Sequence, residues 1–199
     1  MIKVGITGGI GSGKTYVCKL FDCMGIPVYD ADQRAKKLMT SNKILKNAII
    51  SLLGREAYFL NGRLNRKYIA ESVFKNAKLL QSLNALVHPA VAKDGEEWFN
   101  QAEKQGHKYA VKEAALLIES QSYKLLDKLI VVTAPLELRI SRVMKRDKST
   151  RENVLTRISK QMSDDEKIKF ADFTIVNDGE KSVIEQVKAI HDSLMSLSS

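Results

Sequence analysis

Five short apolar runs punctuate the chain, at Ile2–Thr7, 27–30, Tyr109–Glu113, Lys128–Thr133 and Phe173–Val176. Each is rich in β-branched or aromatic residues and flanked by segments whose apolar positions recur at helical spacing, the pattern of strands buried on both faces of a parallel sheet. Strands alternating with helices predict an α/β fold with a five-stranded parallel sheet. The intervals between the strands are unequal, and a parallel crossover needs little more than one helix. The long intervals after the second and fourth strands therefore predict two insertions, 33–107 and 136–165, in a core made of 1–32, 108–135 and 166–199.

The first insertion carries helical patterns at Tyr68-Ile69, Val73-Phe74, Leu79-Leu80 and then Leu83, Leu86 and Val87. It predicts a mostly helical subdomain, broken at His88-Pro89, because the residue before a proline is pushed out of the α region. In the second insertion, Pro135 stands near the start of a helix that places Arg139, Arg142 and Arg146 on one face. Ser149 and Glu152 have the spacing of a capping box for a further helix bearing Arg157, which completes an arginine-lined hairpin. The last helix, 182–196, aligns Val183, Ile184, Val187, Ile190 and Leu194 as a core stripe, and the serine-rich end at 193–199 is expected to fray.

Chemistry enters directly after the first strand, where the chain reads Gly8-Gly9-Ile10-Gly11-Ser12-Gly13-Lys14-Thr15. This is a complete G-x-x-x-x-G-K-[ST] loop in the strand-to-helix context that its mechanism requires. Glycines let backbone N–H groups converge on phosphate oxygens at the positive end of the following helix. Lys14 then reaches the β- and γ-phosphates, and the Thr15 hydroxyl ligates Mg²⁺. ATP with Mg²⁺ is the expected co-substrate. Beside such a loop, Arg142 and Arg146 read as cations that close over the nucleotide, against the alternative of a solvated basic face.

Carboxylates stand at two strand ends. Asp30-Ala31-Asp32 follow the second strand, where ligands of open α/β sheets bind. A hydroxyl acceptor must lose its proton as the phosphoryl group arrives, so Asp32 is the candidate base, with Asp30 holding Mg²⁺ through water or orienting Asp32. Asp32 also suits the N-cap of a helix beginning at Gln33, and the two roles are compatible. After the third strand, Glu113 and Glu119 each fit either a place near metal-bound water or an ordinary first-helical-turn position.

The net charge of +9 suits polyanionic partners, but the basic residues lack the interleaved aromatics of single-strand binders. Phosphate-rich metabolites are expected, and nucleic acid is not. Two cysteines and three scattered histidines offer no metal-ligand spacing. No stretch approaches the ~18 apolar residues of a membrane span, and the first strand begins at once, so a cytoplasmic protein is expected.

Taken in order, these segments resemble the dephospho-coenzyme A kinase family. The resemblance rests on the loop from Thr7 to Lys14, Gly25-Ile26-Pro27-Val28 before Asp30-Ala31-Asp32, and Leu86-Val87-His88-Pro89. It continues through Leu116-Leu117-Ile118-Glu119, Arg146-Asp147, Thr150-Arg151-Glu152, Arg157-Ile158 to Gln161, and Ala171-Asp172 through Asn177-Asp178-Gly179. It implies a P-loop NTPase-type three-layer core with a helical acceptor-binding domain and a helical lid. The implied reaction moves the ATP γ-phosphate to the ribose 3′-hydroxyl of dephospho-coenzyme A. It also implies Asp32 as base, Gly11 to Thr15 on the ATP phosphates, Arg142 and Arg146 as clamps, Asn177 near the adenine, and His88 shaping the acceptor site or serving only structure. The family carries proline where this chain has Ala115 and an apolar residue at the Glu113 position, so the loop after the third strand is expected to differ locally. A nucleoside or nucleotide kinase, and less so a regulatory ATPase, would share the loop and core; the large helical insert favours an acceptor with a diphosphate and a long arm.

Overall fold

A computed structural model describes residues 1–74 and 76–197. Its strands are β1 (Ile2–Thr7), β2 (Val28–Asp30), β3 (Tyr109–Glu113), β4 (Lys128–Thr133) and β5 (Phe173–Val176), in the spatial order β2-β3-β1-β4-β5. The pairs β1/β3, β1/β4 and β4/β5 are parallel, with Val4 opposite Val111 and Ile130 opposite Phe173. The helices are α1 (Lys14–Cys23), α2 (Ala31–Ser41), α3 (Lys43–Leu53), α4 (Arg66–Phe74) and α5 (Ala77–Lys104). They continue with α6 (Leu136–Asp147), α7 (Arg151–Ile158), α8 (Asp164–Ile168) and α9 (Val183–Leu197).

Period-two alternation in β4 explains the layers. Ile130 and Val132 join Val4, Ile6 and the apolar faces of α1 and α9 in one cluster, whereas Leu129 and Val131 pack with Leu117 and Ile118 in another. The sheet is covered on both sides. Gly5 lies between Val4 and Ile6 and belongs to the second face, where a Cβ would stand 2.6 Å from Leu126 Cδ1. A bare backbone at that point is what lets Leu117, Leu126 and Leu129 approach the sheet.

The chain divides into two compact units, one formed by Met1–Tyr29 and residues from Phe99 onward, the other by Asp30–Trp98. Helices α6 to α8 fall in the first. The second has its own core, in which Leu45, Ile49 and Leu53 recur every four residues along α3 and meet Met39, Tyr58, Ile69, Leu83 and Val87. A fully buried side chain such as Ile49 stabilises the fold by about 1.5–3 kcal/mol. Tyr58 donates its hydroxyl to the Met39 carbonyl at 2.6 Å, and burial pushes its phenol pKa up. Arg34 on α2 grips Asp94 on α5 through Nε at 2.8 Å and Nη2 at 2.5 Å.

The elements differ from the sequence expectations in four places. Helix α5 runs unbroken through His88 and Pro89. The proline forfeits one backbone bond there, but Leu83 and Val87 are buried on the same helix and hold it against the second core. Helix α7 is capped by Thr150, whose hydroxyl accepts from Asn153 N at 3.3 Å, not by a Ser149 box; the capping box belongs to Ser163 and Glu166 of α8. Ile184 is 60% exposed, outside the α9 stripe. That helix continues through Ser193 and Ser196, whose hydroxyls donate to Ala189 and Asp192 carbonyls at 2.9 and 3.1 Å, so it holds to Leu197; Ser198 and Ser199 lie outside the described residues.

Candidate nucleotide-phosphate site

Between β1 and α1 the chain turns through Gly8 to Gly13. Gly13 is the N-cap of α1 at φ +97°, ψ 19°, and a Cβ there would collide with the Asn177 side-chain amide. Left-handed geometry and close approach together leave glycine as the residue that fits. At Gly9 the demand is space alone, because a Cβ would stand 2.5 Å from the Arg139 guanidinium carbon.

Three successive loop carbonyls are held from outside. Arg139 Nε donates to the Ile10 oxygen at 3.0 Å, Arg142 Nη1 to the Gly11 oxygen at 3.5 Å, and Asn177 Nδ2 to the Ser12 oxygen at 2.9 Å. The Ile10 N–H donates to Gln161 Oε1 at 2.8 Å. In a trans peptide the next residue's N–H points opposite to the carbonyl. Fixing the Ile10 and Ser12 carbonyls on one side therefore turns the Gly11 and Gly13 N–H groups to the other, alongside the positive end of α1. The arrangement is a rigid cradle for an anion.

Lys14 curls back over this turn, its Nζ donating to the Gly8 oxygen at 2.8 Å and the Gly9 oxygen at 3.3 Å. Thr15 Oγ1 donates to Glu113 Oε1 at 3.3 Å. A hydroxyl and a carboxylate side by side are hard oxygen donors, the kind Mg²⁺ takes when phosphates supply the rest of its shell. Among the described residues no group of three or more His, Cys, Asp or Glu converges as a metal site. The Ser12 hydroxyl is buried and finds no hydrogen-bond partner among the described residues.

The three arginines of α6 do not act alike. Arg139 is buried, with its Nη1 3.0 Å from Asp164 at the start of α8. Arg142 is half-buried and also donates to the Asn177 carbonyl and side-chain oxygens, both at 3.1 Å. Arg146, about 10 Å further along the helix axis than Arg139 by helical rise, instead pairs with Asp147 at 2.7 Å. Asp147 also accepts from Arg157 at 2.6 Å, and the Arg146 and Arg157 bonds hold its carboxyl well below the usual carboxylate range. Glu119 accepts from Met162 N at 3.1 Å and from the buried Lys167 ammonium, which fastens α8 to the loop after β3.

In the second unit, the N-cap of α2 is Asp30, whose carboxylate accepts from Gln33 N at 2.9 Å. The cap expected at Asp32 lies two residues earlier because the helix already begins at Ala31. Asp32 is exposed in the first turn, a place the helix dipole favours for a carboxylate. His88 is exposed in the middle of α5. Helical periodicity sets Arg139 on a shared arginine face without reporting its contact, and nothing near Gln161 in the chain marks its bond to Ile10, because neither residue's partner is close in sequence.

The sequence profile of the dephospho-CoA kinases matches residues 2–182. A dephospho-CoA kinase of Bacteroides fragilis is 39% identical over 190 residues, spanning 94% of this chain and 89% of that protein. Among solved structures, TT1252 from Thermus thermophilus superposes with a TM-score of 0.83 at 33% identity, covering 100% of this chain and 98% of the other. Dephospho-CoA kinase from Campylobacter jejuni superposes with a TM-score of 0.65 at 25% identity, covering 96% of each chain.

Proposed function

The chain belongs to the dephospho-CoA kinase family, and we propose that its residues divide the ATP-dependent phosphorylation of the dephospho-CoA ribose 3′-hydroxyl as follows. The amides of the loop from Gly8 to Gly13 and the N-terminus of α1 bind the ATP phosphates. Lys14 exchanges the Gly8 and Gly9 carbonyls for β- and γ-phosphate oxygens, a charge-assisted contact stronger than the ones it leaves. Arg142 stabilises the charge that spreads over the transferring group. Asn177 serves the nucleotide site by holding both the Ser12 carbonyl and Arg142, and Arg146 belongs to the clamp at the far end of α6.

Thr15, with Glu113 beside it, would hold Mg²⁺, which supplies neutralisation of phosphate charge when bound. Asp32 takes the proton of the 3′-hydroxyl as its oxygen forms a bond to the γ-phosphorus, and ADP leaves with the electrons of the broken bond. Asp30 sets the direction of α2, and so of Asp32, through its cap on Gln33. His88 belongs to the acceptor domain. Neither Cys18 nor Cys23 is engaged in a disulfide, which fits a reducing, cytoplasmic setting.

The observation that carries the phosphate-binding reading is the set of three loop carbonyls held by Arg139, Arg142 and Asn177. The test is mass analysis of products after incubation with Mg²⁺-ATP and, separately, dephospho-CoA, adenosine and a nucleoside panel. A phosphate added to dephospho-CoA alone, at the 3′ oxygen, is expected. Transfer confined to nucleosides would overturn the acceptor. Asp32→Asn should lower kcat by about 10²–10⁴ with ATP affinity retained. Unaltered kcat with chemistry rate-limiting would remove Asp32 as the base.

A further inference from the structure

The Asp30–Trp98 unit holds a cavity of about 790 Å³, within the size range of small-molecule sites, lined by Lys36, Lys37, Arg63, Arg66, Lys67 and Phe59. No carboxylate lines it, and none of the five cations forms an ion pair among the described residues. Elsewhere the fold matches its arginines, as in Arg34–Asp94, Arg139–Asp164 and Arg151–Glu137. Arg66 and Lys67 also occupy the first turn of α4, the helix end where positive charge is disfavoured, and no acidic residue accompanies them. Five uncompensated cations in one concavity, two of them placed against a helix dipole, are a costly arrangement for stability and a suitable one for a polyanion.

We propose that this cavity takes the 5′-diphosphate of the acceptor, with the half-exposed Phe59 ring receiving the start of its apolar-polar arm. The assignment rests on the acceptor reading given above and deepens it. Gln33, Lys36, Lys37 and Thr40 line the cavity from one face of α2, and Asp32 stands on the same helix one turn, ~5.4 Å, before Lys36. A ribose whose 3′-hydroxyl lies at Asp32 carries its 5′ oxygen on the far side of the ring. Its diphosphate then falls further along α2, where Lys36 and Lys37 stand. The chemistry recognised is a nucleoside 5′-diphosphate ester, which both dephospho-CoA and free ADP contain; the position beside Asp32 commits the cavity to the acceptor.

The test is calorimetric titration of the full-length protein and of the double variant Arg63→Ala/Arg66→Ala with dephospho-CoA and, separately, ADP, with wild-type turnover recorded in parallel. Loss of two charge-assisted bonds should weaken dephospho-CoA binding by about 10- to 100-fold, and ADP binding by less than about twofold. Dephospho-CoA affinity within about threefold of wild type would overturn the assignment, as would an equal loss for ADP, which would reveal only a diffuse field. Should the double variant melt below the assay temperature, Lys36→Gln/Lys37→Gln puts the same question. A wild-type protein that binds dephospho-CoA without phosphorylating it would sink the acceptor reading, while the affinity ratio would still decide the cavity.

Discussion

Arg139 and Asp164 form an ion pair 3.0 Å apart, with side-chain exposures of only 7% and 17%. The same guanidinium donates to the Ile10 carbonyl at 3.0 Å, so one side chain joins α8 to the phosphate-binding turn. Asp164→Asn strands a buried charge and should destabilise the protein by about 3–5 kcal/mol. Arg139→Met with Asp164→Leu removes both charges and should recover most of that loss, because apolar replacement of a buried pair is often neutral. The Ile10 carbonyl still loses its donor, so the double variant should melt near wild type yet keep a raised KM for ATP. Equal losses of stability in the two variants would contradict this division of labour.

Gly13→Ala places a methyl group on the Asn177 amide at a backbone angle that side chains disfavour. Left-handed strain of about 1–2 kcal/mol adds to the loss of the Asn177–Ser12 bond. We expect a lower melting temperature and an ATP affinity too weak to titrate. Wild-type nucleotide affinity in a folded Gly13→Ala protein would show that the loop tolerates another path.

Pro89 sits exposed in the interior of α5, where proline costs about 3 kcal/mol relative to alanine. Its stiffness returns about 0.4–1 kcal/mol through the unfolded chain. Pro89→Ala should therefore stabilise the protein by about 1–3 kcal/mol, read as a higher urea midpoint at unchanged slope. A lower midpoint would mean that the proline fills a packing role the exposed position does not reveal.

Asp147 ties the end of α6 to α7 through Arg146 and Arg157, and both bonds depress its pKa. A depressed carboxylate gives stability that is complete above its unfolded pKa of about 3.9 and is lost as pH falls toward the folded value. With both arginines about half exposed, solvent screening limits the contribution to about 1 kcal/mol. Asp147→Asn should thus unfold more readily than wild type at pH 7, with the gap narrowing steadily below about pH 4. A gap independent of pH would assign the loss to the new amide rather than to the charge.

The sheet was legible because buried parallel strands are short, apolar and punctuated; the ends of β1, β3, β4 and β5 fall where the apolar runs end. The loop was legible because its glycines, Lys14 and Thr15 are contiguous. Local rules failed where tertiary packing outweighed them. The pre-proline rule at His88 lost to the burial of Leu83 and Val87, and the Ser149 capping pattern lost to Thr150 one residue later. Contacts distant in sequence left no local trace, as between Gln161 and Ile10 or Asn177 and Ser12. The basic cavity was hidden for the same reason, since Lys36 and Lys37 on α2 meet Arg63, Arg66 and Lys67 only once that unit folds.

The uncompensated cavity will govern how the protein behaves in the hand. More than half of the net charge of +9 is matched in number by its five cations, which face solvent from a concave surface. At low ionic strength that surface will act as a small anion exchanger, retaining the protein on heparin and carrying nucleic-acid fragments through purification. An elevated absorbance ratio at 260 nm in a fresh preparation, removed by a salt wash, is then a property of this concavity and no evidence of a polynucleotide-binding role.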